Sequence, residues 1–405
     1  MNTTMKAIIW VVVLGVVAWA GYALLGSQPA MPVEEEVVPV AVLPIKIGVI
    51  APLTGEAATY GEPMRNVIEI AINEINAAGG VNGAQLIPIY EDDKCTGEGG
   101  ASATQKLVNV DGVKIIIGSA CSGATLAAIP VAEAGQVALF SPAASSPDLT
   151  GKSRFFSRDY PSDSSQGIVL ADAAYTIKKW KKVAIIQEQK DYPLGIFKAF
   201  EAQFKSLGGT VVKEEFAPSA TDFRSMLTKL KAAKPDALFI IVQASPSADR
   251  ILKQFADLKW KMPLIVNDIV PGDVEIVKNQ AKVLEGAISA EFPVGDNDKL
   301  KAFAASYKAK YGIDVPYMSY GQTEYDAVYI VRDALMAIGN DGAKIADWLK
   351  GVTNWQGASG SVTIGADGDR VGGHVLKVIK DGKVELYAMP VAAADAPAAT
   401  TTAKQ

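Results

Sequence analysis

Short apolar strands alternate with amphipathic helices along most of this chain, and this alternation restricts the possible folds more than any other feature. A strand is predicted at 45–50, and a helix follows it because apolar residues then recur at three- and four-residue steps until Gly79 and Gly80. The pattern continues with strands at 85–90, 114–117 and 137–140 and helices at 101–110 and 124–134. Strands that are apolar on both faces are typical of parallel sheets covered by helices, so we predict an α/β fold built on a doubly wound parallel sheet.

The same pattern restarts after Asp163 and produces a second block of similar length. Its predicted strands are 183–187, 210–216, 237–242 and 264–266, and its predicted helices are 194–206, 223–233 and 248–258. A remainder from about 287, which closes with a hairpin around Asp381 and Gly382, is too small to stand alone. We therefore expect two doubly wound lobes joined by a hinge. The first lobe comprises 45–162 plus about 288–355, and the second comprises 163–287 plus about 356–390.

The N-terminal region carries signals for export. Residues 7–25 form an uncharged apolar run of 19 residues, with Lys6 before it and three glutamates at 34–36 after it. At ~1.5 Å per residue the run matches the ~30 Å hydrocarbon core of a bilayer, and the charge asymmetry places the following residues outside the cytoplasm. The run is either a signal peptide cleaved after Ala18-Trp19-Ala20 or a retained membrane anchor. We expect 26–44 to be a linker and 391–405 to be a disordered tail.

Charge and histidine content exclude several classes of function. The chain has 39 Lys and Arg against 44 Asp and Glu, a formal charge of −5 with no basic block, so no nucleic-acid partner is expected. His374 is the only histidine, which leaves little material for Ser-His-Asp triads or His-rich metal sites. We expect a protein that is not an enzyme and that has no metal and no cofactor.

Cys95 and Cys121 are the only cysteines. An even number of cysteines in an exported protein favours a disulfide, because the compartment is oxidising. The alternative is a pair of free buried thiols.

Six motifs in a fixed order resemble a known family. They are IGVIAPLTGEAATYG (47–61), AINEINAAGGVNG (71–83), YEDDKC (90–95), IIGSACSGAT (116–125), FSPAASSPDLT (140–150) and FSRDYPSDSSQG (156–167). Together they are similar to the type I extracytoplasmic solute-binding proteins, in the branch that binds leucine, isoleucine and valine for ABC importers. The resemblance covers about 45–390 and implies a periplasmic-binding-protein-like type I fold with the two cysteines in a bridge.

Two strand-to-helix loops are candidates for binding a carboxylate. The stretches 118–123 and 141–146 follow neighbouring predicted strands, where backbone N–H groups and a helix dipole favour an anion. The family resemblance implies that Ser122, the backbone of Ala143, and Ser145 bind the α-carboxylate of an amino acid. The alternative is that Ser122 caps a helix and Ser145 fills a turn.

The resemblance also implies partners for the other end of the ligand. Asp268 matches the position that binds the α-ammonium, since a buried cation needs an anion; the alternative is a helix-capping Asp before Pro271. Tyr60 and Tyr192 match the aromatic walls, one in each lobe. At 244–245 the chain has Ala-Ser where leucine-type binders have two tyrosines, which implies a larger or more polar pocket.

The expected function is ligand capture by hinge closure. We expect an extracytoplasmic protein, in the periplasm or at the cell surface, that binds an amino acid or related zwitterion and delivers it to an ABC permease. A membrane contact through the N-terminal segment is expected only if that segment is uncleaved. The main alternative is a ligand-sensing ectodomain that works with a membrane signalling partner, and a second is an enzyme on the same scaffold.

Overall fold

A computed structural model describes residues 2–25 and 42–388. The predicted disordered tail and most of the predicted linker lie outside these residues. The chain divides into two units, and the N-terminal one contains helix α1, Thr3–Leu25. Among the described residues, no helix has the length and hydropathy required to cross a membrane. The choice between a signal peptide and an anchor at 7–25 stays a prediction.

The first sheet has five parallel strands in the order β2-β1-β3-β4-β5. The strands are β1 Ile45–Ala51, β2 Leu86–Asp92, β3 Ile115–Ile117, β4 Ala138–Ser141 and β5 Phe156–Arg158. The central strands β3 and β4 are buried at every position, which is why their sequences are apolar on both faces.

The second sheet has seven strands and includes most of the remaining strands. They are β6 Lys182–Glu188, β7 Thr210–Phe216, β8 Ala237–Ile241, β9 Leu264–Val266 and β10 Ile288–Glu291, then a separate hairpin of β11 Trp355–Gly357 and β12 Gly360–Val362, then β13 Val375–Lys380 and β14 Lys383–Leu386. The sheet order is β14-β13-β10-β9-β8-β6-β7, with β13 and β14 antiparallel at one edge. Asp381 and Gly382, which form the predicted tight turn between β13 and β14, both have positive φ.

Helices cover both sheets. Their bounds are α2 Ala58–Ala77, α3 Gly97–Asn109, α4 Ser122–Ala134, α5 Ser164–Asp172, α6 Asp191–Ser206, α7 Arg224–Ala232, α8 Ser245–Asp257, α9 Ile269–Gly272, α10 Val274–Asn279, α11 Ala281–Leu284, α12 Asp298–Tyr311, α13 Met318–Ile338 and α14 Gly342–Leu349. A 3₁₀ turn lies at Pro147–Leu149, and a π-helical turn at Ala173–Ile177 continues α5. The predicted α/β fold with two doubly wound lobes is confirmed.

The chain returns to the first lobe after β10. Helices α12 and α13 pack on α2, and 13 of the 21 residues of α13 are buried. Strand β10 itself belongs to the second sheet, pairing with β9 and β13. The return to the first lobe therefore follows Glu291, and the lobe bounds expected from the sequence stay a prediction.

The predicted disulfide between Cys95 and Cys121 is present. It joins the loop after β2 to the loop after β3, so it ties together the carboxyl ends of the two strands that flank β1. The Tyr60 hydroxyl lies 3.1 Å from Sγ of Cys121. The bridge therefore supports one wall of the space between the lobes.

Replacing both cysteines with serine should destabilise the fold. The bridge closes a loop with a sequence separation of 26, and the chain-entropy model assigns about 3–4 kcal/mol to such a loop. The measurement is the urea midpoint of the double variant against the oxidised wild type. Wild type in reductant should match the variant. Equal midpoints for the oxidised wild type and the variant would contradict a stabilising bridge.

Candidate functional site

A cavity lies between the two sheets, at the carboxyl ends of their strands. Parallel α/β sheets bind ligands at this edge because strands end there and helices begin there. Its lining comes from both lobes and comprises Tyr60, Ala120, Ala143, Ser145, Tyr192, Gln243, Ile269, Tyr320 and Glu324. Four of the six predicted ligand-binding residues therefore lie around one space.

The cavity is small. Its volume of about 20 Å³ is room for roughly one water molecule. The two lobes are closed on each other around it, and an amino acid requires the lobes to part or the lining side chains to move.

The two predicted carboxylate-binding loops contact each other. The Ser122 hydroxyl accepts a hydrogen bond from the backbone N–H of Ser146 at 3.1 Å. The residue that caps α4 is Cys121, without a side-chain bond, so Ser122 connects the loops rather than capping the helix. The Ser145 hydroxyl lines the cavity and donates to Asp163 at 2.7 Å. Ser122 is not part of the cavity lining, and Ser145 and Ala143 are.

Asp268 is fully buried at the end of β9, behind the cavity wall. Three tyrosine hydroxyls donate to its carboxylate: Tyr320 at 2.5 Å, Tyr160 at 3.2 Å, and Tyr192. Burial, and next the Asp268 charge, raise the pKa of each tyrosine well above its usual range, so the three remain donors at neutral pH. The anion predicted to bind the α-ammonium is thus held by tyrosines from distant segments.

Further ionisable groups lie around Asp268. Burial lowers the pKa of His374 to about 4, so its ring is neutral. Burial, then the charge of Asp268, raises the pKa of Asp163. Burial raises the pKa of Glu291 to about 7, opposed by Lys377. The neutral ring of His374 and the raised pKa values of Asp163 and Glu291 keep the net charge around Asp268 small. Within 42–388, no cluster of three His, Cys, Asp or Glu side chains is arranged to hold a metal.

Polar and aromatic contacts surround the Ala244-Ser245 pair and the neighbouring Gln243. Gln243 donates to the Tyr60 hydroxyl at 2.9 Å. Beside the Ala244-Ser245 pair, the Tyr317 hydroxyl contacts the Ser245 hydroxyl at 2.5 Å and the Tyr317 ring packs edge-on against Tyr60. Tyr317 therefore lies against both Ser245 and Tyr60, and the larger or more polar pocket expected from the Ala244-Ser245 pair stays a prediction.

Glu324 is a cavity residue that the sequence analysis missed. It is only 4% exposed, and burial alone raises its pKa to about 8. It lies on the buried face of α13, in helical register with Tyr320, Ala327, Val328 and Val331. A glutamate among apolar residues at three- and four-residue spacing was the available signal.

Several contacts join the lobes at the mouth of the cleft. Arg250 on α8 forms an ion pair with Glu56 after β1 at 2.8 Å. The Lys190 ammonium donates to the Cys95 carbonyl at 2.8 Å. These contacts exist only while the lobes are closed, so they contribute to the balance between open and closed forms.

Comparisons with known proteins agree on one family. A family model described as periplasmic binding protein matches residues 44–380. The Leu/Ile/Val-binding protein BraC3 of Rhizobium johnstonii is 29% identical over 335 residues, 82% of this chain and 90% of that protein. The leucine binding protein LivK of Thermotoga maritima has a TM-score of 0.78 at 28% identity, covering 85% of this chain and 98% of that one. The substrate binding protein LivJ of Streptococcus pneumoniae, in complex with isoleucine, has a TM-score of 0.76 at 30% identity, covering 84% and 98%.

The Glu324 environment predicts a pH effect on stability. The pKa of Glu324 is about 8 in the folded protein and about 4.5 in the unfolded chain. Between these two values the unfolded chain ionises while the folded protein does not, so the contribution of Glu324 to the free energy of unfolding is highest below about pH 4.5 and falls as the pH rises towards 8. Glu324→Gln should therefore be stabilised relative to wild type at pH 8 and much less so at pH 5, by urea denaturation. Asp93 and Glu291 titrate in the same range in both proteins and cancel in the difference.

The exposed Glu133 provides the control. Glu133→Gln should show a difference from wild type that does not change between pH 5 and pH 8. If the difference in stability between Glu324→Gln and wild type is also the same at pH 5 and pH 8, Glu324 is not buried in its uncharged form.

Proposed function

Because the chain belongs to the periplasmic binding protein family, we propose that it is an extracytoplasmic solute-binding protein that captures a small amino acid between its lobes and delivers it to an ABC permease. In this proposal the N-terminal segment directs export, either as a cleaved signal or as a retained anchor. The fold and the relatives are those of solute-binding proteins rather than of enzymes.

The observation that carries the proposal is the placement of opposite chemistry around one interlobe cavity. Ala143, through its backbone, and Ser145 line the cavity from the first lobe. Asp268 provides negative charge from the second lobe, and neutral tyrosine hydroxyls from both lobes hold its carboxylate. An amino acid has a carboxylate and an ammonium that complement the two sides. The isoleucine bound by LivJ supports the same ligand class.

Closure follows from this division of the site between lobes. A ligand that contacts both lobes binds the closed form better than the open form, and it shifts the population by that difference in affinity. The closed surface, including the cleft-mouth contacts of Glu56 with Arg250, is then the form offered to the permease.

A screen against the twenty amino acids tests the proposal. At 100 times its dissociation constant a ligand stabilises the folded protein by about 2.7 kcal/mol, which thermal denaturation detects. We expect at least one amino acid to raise the melting temperature and calorimetry to give a one-to-one complex. If none of the twenty shifts the melting temperature or gives heat of binding, the proposed function is wrong.

Arg250→Ala tests closure independently of the cavity. Removing a partly exposed ion pair that joins the lobes in the closed form should weaken binding of the tightest amino acid about 1.4- to fivefold, since such pairs contribute about 0.2–1 kcal/mol. The control is Arg224→Ala, whose partners Asp222 and Asp257 lie in its own lobe. Calorimetry should give wild-type affinity for the control. Equal affinities for both variants would contradict a role for the contact in closure.

A further inference from the structure

One cavity-lining carboxyl remains without a partner in the protein. Glu324 faces the cavity from α13 and is buried. Within 42–388 its carboxyl forms no hydrogen bond or ion pair, and desolvation is the only effect acting on its ionisation. The neighbouring Thr323 hydroxyl donates to the Pro142 carbonyl at 2.8 Å, which fixes this turn of the helix against the loop that contains Ala143.

The other buried acids near the cleft differ from Glu324 in this respect. Asp268 accepts hydrogen bonds from three tyrosine hydroxyls, and Asp163 accepts one from the Ser145 hydroxyl. Glu188 accepts a hydrogen bond from the backbone N–H of Gln243 at 2.9 Å. Asp93 accepts the Cys95 backbone N–H at 2.7 Å. Each of these four carboxyls accepts at least one hydrogen bond from within the chain, although Oδ1 of Asp163 has no partner of its own. The three hydroxyls leave one of the roughly four acceptor positions of the Asp268 carboxylate open. Of these five acids, only Glu324 forms no hydrogen bond within residues 42–388.

A buried carboxyl without a partner is costly, whether it is charged or neutral. The cost is recovered when a ligand supplies the missing hydrogen-bond donor. The other polar side chains on the cavity wall carry hydroxyls and one amide, and no Lys or Arg lines the cavity; they are Tyr60, Ser145, Tyr192, Tyr320 and Gln243. An N–H or O–H on the ligand is therefore the group that Glu324 lacks.

We propose that Glu324 contacts the side chain of the bound amino acid and selects ligands whose side chain carries an N–H or O–H donor over those with an aliphatic side chain. This rests on the proposed function and specifies its ligand class. An aliphatic side chain would leave the Glu324 carboxyl buried and unpaired, because it also displaces water without replacing the hydrogen bonds of that water. The ammonium of the ligand remains with Asp268, so the two acids have separate roles.

Calorimetry with four probes tests this selection. L-Threonine, L-glutamine and L-lysine carry side-chain donors, and L-leucine carries none. In wild type, the tightest of the three donor-bearing probes should bind at least tenfold more tightly than L-leucine. In Glu324→Leu and in Glu324→Ala that preference should fall at least tenfold, with L-leucine binding more tightly than it does to wild type. The exposed Glu133→Leu is the matched control and should keep the wild-type preference.

The outcomes separate this inference from the proposed function. Tightest binding of L-leucine by wild type, or an equal change of all four affinities in both Glu324 variants, overturns the selection by Glu324 and leaves amino-acid binding intact. Failure of wild type to bind any of the twenty amino acids overturns the proposed function, and the selection with it. If one Glu324 variant lacks a cooperative melting transition, the other variant decides.

Discussion

The closed arrangement of the two lobes depends on one buried carboxylate. Asp268 ends a strand of the second sheet, and its oxygens accept hydroxyls from Tyr160, Tyr192 and Tyr320. Tyr192 belongs to the second lobe, whereas Tyr320 is on α13, which packs on the first lobe. A buried charge without donors is unfavourable by several kcal/mol, so these hydroxyls and Asp268 require one another. The position of α13 against the second lobe follows from this requirement.

Some buried acids of the cleft have hydrogen-bond partners within the chain, and one has none. Those with partners stabilise the walls of the cleft, whereas the one without a partner is available to contact a ligand. Asp268 and Asp163 have partners within the chain and hold the walls in place. Glu324 has none and faces the cavity. Polar groups that hydrogen-bond to one another make a site rigid, whereas a buried group without a hydrogen-bond partner favours a ligand that supplies that partner. In the proposed function, the loops that contain Ala143 and Ser145 bind the head of the amino acid, and Glu324 on α13 contacts its side chain.

Much of the fold and part of the site followed from the sequence. Strand and helix periodicity predicted both sheets, because buried parallel strands are apolar on both faces. The strand-to-helix pattern pointed to the loop 141–146, and the family resemblance named Ala143 and Ser145 in it, which line the cavity. The tyrosine donors to Asp268 and the role of Glu324 did not follow. These residues lie in segments that are far apart in the sequence. Local sequence patterns do not predict which distant segments contact each other in the folded protein. Strand β10 was not predicted because Ile288–Glu291 alternates apolar and polar residues over only four positions and is too short to be distinctive.

The central claim is that an amino acid closes the two lobes by contacting both. Small-angle X-ray scattering of the protein with and without the tightest-binding amino acid tests it most directly, since lobe closure changes the distribution of interatomic distances while local side-chain movements do not. We expect a smaller radius of gyration with the amino acid, and scattering at saturation that agrees with the closed structure of residues 42–388. A saturating ligand that leaves the scattering curve unchanged would contradict the account.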